Sequence, residues 1–69
     1  MTIDEAEERL SEARAMAVEA RSPQTVSNSF VTILVEPQAD AAGKIVRVIY
    51  RVNGRQSTLV SAAVAMVKA

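Results

Sequence analysis

Ile45-Val46-Arg47-Val48-Ile49-Tyr50-Arg51-Val52-Asn53-Gly54-Arg55 is the stretch on which the reading of this chain turns. Residues 45–52 are dense in β-branched side chains and predict a strand over about 44–52. Asn53-Gly54 follows directly, and that pair favours a type I′ hairpin because both residues tolerate positive φ. A further short strand is therefore expected over about 55–58. Alternation along 45–52 places Val46, Val48, Tyr50 and Val52 on one face, with Ile45, Arg47, Ile49 and Arg51 on the other.

Upstream, Phe30-Val31-Thr32-Ile33-Leu34-Val35 predicts a partner strand over about 30–36, stopped at Glu36-Pro37. Residues 38–43, Gln-Ala-Asp-Ala-Ala-Gly, read as a loop longer than a tight turn. Polar residues 22–29, opening with Ser22-Pro23, read as a linker, because the proline disfavours helix at the preceding residue. Before it, Thr2-Ile3-Asp4-Glu5 has the form of a capping box and predicts a helix over about 2–21. Ile3, Ala6, Leu10, Ala13, Ala17 and Ala20 share its apolar stripe, and small side chains there let a neighbouring backbone come close.

After Arg55, residues 57–69 favour helix over strand because of their alanines, and a helix over about 58–68, capped by Ser57 or Thr58, is expected. Its expected buried stripe is Leu59, Val60, Ala63, Val64, Met66 and Val67. Its outward side carries so little charge that cover on both sides is expected.

These elements predict one α+β domain spanning 1–69: a helix, a small antiparallel sheet of two to three strands, and a second helix. The expected core is Leu10, Ala13, Ala17, Val31, Ile33, Val35, Val46, Val48, Tyr50, Leu59, Ala63 and Val67. One sheet face is then left over. Phe30, Leu34, Ile45 and Ile49 are expected there beside Arg47 and Arg51, with Arg55 at the strand end. Such an apolar and cationic mixture marks an interaction surface. The opposing reading is a solvated face in which arginine stems lie over their apolar neighbours.

Composition bears on function mainly by exclusion. The 69 residues contain no Cys and no His, which removes disulfides, thiolate and imidazole metal ligands and the commonest general base. Glu5, Glu8 and Glu12 share an exposed helix face, which does not split carboxyl pKa values as acid–base pairs require. The serines have no base at a recognisable spacing. The chain is therefore expected to be no enzyme and to need no cofactor. Its acidic start has no signal-like character, and no apolar run reaches the roughly 18 residues of a membrane span. A cytoplasmic protein is expected.

Net charge is zero, but it is divided along the chain. Residues 1–21 carry six acids and three arginines, Glu36 and Asp40 add two acids, and residues 44–69 carry five basic residues and no acid. Two readings follow: mutual neutralisation of the acidic helix and the basic ribbon, or a basic ribbon that meets an acidic partner. Nucleic acid is the less favoured ligand, since the pI is near 6.2 and stacking aromatics are scarce. A chain this small also buries little core of its own, and association with other chains offsets that. A homo-oligomer is the expected state.

The charged, alanine-rich segment Glu5-Ala6-Glu7-Glu8-Arg9-Leu10-Ser11-Glu12-Ala13-Arg14-Ala15, the hairpin, and the approach to the second helix through Val48–Ser57 resemble the small head-to-tail joining proteins of tailed phages, the lambda W type. The resemblance lies in element order and implies an αββα structural adaptor assembled beneath the portal. The chain is also similar in size to other small phage-encoded α+β proteins, including anti-CRISPR inhibitors. An inhibitor that binds a larger partner is thus the alternative to an assembly protein.

Overall fold

The capping box forms as the sequence predicts. The Thr2 hydroxyl accepts from the Glu5 amide at 3.1 Å, and the Glu5 carboxylate accepts from the Thr2 amide at 3.4 Å. Helix α1 runs from there over Ile3–Ala20. Arg21 closes it with φ 55, in the left-handed conformation, while its amide donates to the Ala17 carbonyl. The computed structural model describes residues 1–68; the expected last helical residue, 68, is the C-cap.

Four strands follow in a simple meander: β1 Gln24–Ser27, β2 Thr32–Ala39, β3 Ile45–Val52 and β4 Arg55–Ser57, antiparallel in the order β1-β2-β3-β4. Helix α2, Leu59–Val67, completes an α+β fold. Thr58 is its N-cap, its hydroxyl accepting from the Ser61 amide at 3.1 Å. Asn53 and Gly54 both take positive φ, 52° and 83°, as a type I′ turn requires.

The sheet has one strand more than the sequence suggests, because 22–29 is not a plain linker. Gln24–Ser27 pairs with Val35–Thr32, and Val26 is buried opposite Ile33. Strand β2 is also displaced from the expected 30–36. Phe30 and Val31 belong to the β1–β2 turn, where the Asn28 carboxamide oxygen accepts from both of their amides at 2.9 and 3.1 Å. At its other end β2 continues through Pro37, which β1 no longer flanks; a proline is tolerated in a strand where its missing N–H faces no partner.

Both helices cover the same face of the sheet. The buried cluster takes Ala6, Leu10, Ala13 and Ala17 from α1, Val26, Ile33, Val35 and Tyr50 from the strands, Val31 from the turn, and Ala62, Ala63 and Met66 from α2. Leu10, Ile33, Val35 and Met66 are its largest fully buried members. Of the expected core, Val48, Leu59 and Val67 are only partly buried against this cluster, and Val46 is 58% exposed. A register irregularity at Gln38/Ala39 explains Val46: Arg47 opposes Gln38 and Ile45 opposes Ala39, so Val46 is the extra residue of a bulge.

Helix α2 is rotated from the expected orientation. It buries Ala62, Ala63 and Met66 and leaves Val60 and Val64 exposed, so it is not covered on both sides. The alanines of α1 and α2 meet in one cluster, and small side chains allow that close helix approach. Asn28 fixes the arrangement from the far end. Its side-chain amide donates to the Met66 carbonyl at 2.8 Å, tying the last turn of α2 to the β1–β2 turn.

Candidate functional surface

The central hairpin is longer than its neighbours. Strand β1 reaches only Thr32–Val35 of β2, and β4 reaches only Tyr50–Val52 of β3. Glu36–Ala39 and Ile45–Ile49 therefore extend past the edge strands as a two-stranded ribbon. At its tip, the Asp40 carboxylate accepts from the amides of Ala42 and Lys44 at 2.9 and 3.0 Å, which makes the expected loop an organised turn. The Arg21 guanidinium donates to the Gly43 carbonyl, so the end of α1 is tied to this tip.

Register fixes the content of the uncovered face. Leu34 lies opposite Arg51, Glu36 opposite Ile49 and Gln38 opposite Arg47, with Thr25 and Gln56 extending the first of these rows onto β1 and β4. These residues alternate with the helix-facing Ile33, Val35 and Tyr50, so they occupy the opposite side of the sheet. Of the residues singled out from the sequence, Leu34, Arg47, Ile49 and Arg51 are thus brought together.

The other three lie elsewhere. Phe30, 62% exposed, sits in the β1–β2 turn. Arg55 opposes Val52, in the row that contains the core residue Ile33, so it belongs to the opposite side from Arg47 and Arg51. Ile45 is half-buried at the bulge.

Ile49 is only 5% exposed even though no helix covers it. Its cover comes from its own face: Arg47 and Arg51 flank it along β3, and Glu36 lies across from it. Arginine stems can shield apolar surface while their heads stay in water. The heads are held in a network: Arg47 Nε donates to Gln38 Oε1 at 2.9 Å, Gln38 Nε2 to Glu36 Oε1 at 3.5 Å, and Arg51 Nη2 stands 3.8 Å from Glu36 Oε1. Glu36 and Gln38 were not singled out from the sequence. The signal was present in the period of two from Leu34, but Pro37 hid it by suggesting that the strand had ended.

Arg51–Glu36 is the one ion pair among the described residues. No acid of α1 pairs with the basic ribbon, because the helix packs on the opposite side of the sheet. Part of the charge division along the sequence thus becomes a division between two outer surfaces, an acidic helix surface and a sheet face with Arg47, Arg51 and Glu36, while Arg55 lies on the helix side. Three comparisons, with protein-family models, with curated proteins and with solved structures, find no match.

Proposed function

We propose that this chain is a protein–protein assembly module that binds a second copy of itself through the uncovered face of its sheet. One observation carries the reading: that face holds Ile49 between Arg47 and Arg51 and Leu34 opposite Arg51, and among the described residues no helix packs over it. The ribbon edges are less suited to the task. Pro37 on one strand and the bulge beside Arg47 on the other blunt them against strand addition. The helix–sheet–helix order also suits a structural adaptor like the head-to-tail joining proteins of phages, working in the host cytoplasm or the virion.

Light scattering after size exclusion, over a hundredfold range of concentration, tests the reading. A discrete mass of several chains that survives dilution, and that Leu34→Glu reduces, is the expected result. A folded monomer at every concentration overturns it.

A second reading is favoured by the lack, among the described residues, of ion-pair partners for the acids of α1: an inhibitor whose acidic helix occupies a basic surface of a larger protein. Replacing Glu5, Glu8 and Glu12 by Gln abolishes such binding if the helix is the contact.

A further inference from the structure

The self-association reading leaves open which surface of the second copy meets the sheet face, and the two outer surfaces carry a matching pattern. On the sheet, Arg47 and Arg51 are four residues apart on one side of β3, about 13 Å at strand rise, with Ile49 between them and Leu34 opposite Arg51. On α1, Glu12 and Glu19 are seven residues apart, about 10 Å along the helix, with Ala15 and Met16 between them. These four residues are exposed; Glu12, Ala15 and Glu19 lie on the side of α1 away from the buried Ala6, Leu10, Ala13 and Ala17, and Met16 lies on the flank toward β1. Two cations with the half-buried Leu34 beside them therefore face two acids with the exposed Met16 between them.

Met16 is a large thioether left 58% exposed, beside an open hollow of about 340 Å³ between α1 and β1 that Glu12 also lines. Its own chain covers it only in part, with Arg9 lining the same hollow, and an apolar side chain flanked by two carboxylates suits a surface on which the half-buried Leu34 lies beside two cations. The opposing glutamate on the sheet, Glu36, lies across from Ile49 and has Gln38 and Arg51 to hold it.

We infer that copies of this chain associate front to back, with the Glu12–Met16–Glu19 surface of α1 in one copy seated on the Arg47–Ile49–Arg51 face of the next. The inference rests on the self-association reading and adds its partner surface and polarity. The two surfaces differ, so the contact is heterologous and each copy keeps one free surface of each kind. Growth then continues until a ring closes or the chain of copies is capped.

The experiment uses the full chain, Arg47→Gln/Arg51→Gln, Glu12→Gln/Glu19→Gln, and an equimolar mixture of the two variants, each followed by sedimentation velocity at low and high salt. Circular dichroism checks that both variants keep the fold, as exposed polar substitutions should allow. The unchanged chain forms multi-chain species that raised salt weakens, because the contact charges are exposed and screened. Each variant alone associates about tenfold more weakly, the combined loss of two surface ion pairs. The mixture recovers a species of two chains and no larger one, since only one intact surface of each kind remains to pair.

Self-association that both variants retain at full strength, or a mixture that stays as weak as its components, overturns the front-to-back contact and leaves the assembly reading standing. A monomer for the unchanged chain at every concentration overturns both.

Discussion

The two faces of strand β3 bury apolar side chains by different means. On the helix side, Tyr50 joins a cluster with Ile33 and Val35 that α1 and α2 cover, and cover by two other elements makes the whole chain a condition for burial. On the outer side, Ile49 is as well hidden as Tyr50, at 5% against 8% exposure, yet its cover is its own strand's arginines and the neighbouring glutamate. Low exposure is thus not one energetic state. Packed carbon supplies dispersion contacts on every side, whereas arginine stems over a single isoleucine give partial contact that can reopen to water.

Substitutions test the difference in descending order. Ile33→Ala, at a position with no exposure, removes carbon from the closed cluster and is expected to cost about 2–5 kcal/mol, read from the urea midpoint; for a domain this small such a loss leaves little folded protein. Ile49→Ala is expected to cost less, about 1–2 kcal/mol, because the arginine stems can settle onto the smaller side chain and no rigid cavity remains. An equal cost for the two would mean that the outer face is packed as firmly as the core. Arg51→Ala uncovers Ile49 and breaks the 3.8 Å pair with Glu36, and is expected to cost at most about 1 kcal/mol. Arg51→Gln keeps part of the stem and should cost less than Arg51→Ala. The reverse order would assign the effect to charge and not to cover.

The same two faces mark what could be read in advance. The helices, the capping box and the Asn53-Gly54 turn are local: a few adjacent residues carry the signal and the structure agrees. The inner members Leu10, Ile33, Val35 and Tyr50 follow from periodicity, because a regular helix or strand leaves one side for them. Strand β1 was hidden because Val26 is its single buried residue; what makes 24–27 a strand is the ladder with β2. Val46 failed as a core residue because a bulge is set by pairing across the hairpin, which no property of Val46 itself discloses.

Helix α2 shows the same limit in another form. Its sequence offers two apolar stripes, and hydrophobicity alone favours the valines. Packing against the alanines of α1 selects Ala62, Ala63 and Met66 instead, since the smaller residues admit the closer approach. On the candidate surface, the grouping of Leu34, Arg47, Ile49 and Arg51 was legible from alternation. The remote places of Phe30 and Arg55 depend on where β2 begins and on the pairing of β4, both of which are tertiary facts.

The hydrogen bond from Asn28 to the Met66 carbonyl has a consequence for the order in which the molecule is made. It joins groups 38 positions apart, whereas the β2–β3 and β3–β4 ladders close through short turns. Loop closure of that span costs entropy that only the docked α2 repays. The hairpins can therefore form as soon as their residues leave the ribosome, while Met66 is translated after every strand. Until α2 arrives, the inner face of the sheet lacks half of its roof. Folding is committed only when α2 docks, and pulsed hydrogen exchange is expected to protect β2 and β3 amides before those of α2; simultaneous protection would place the commitment earlier.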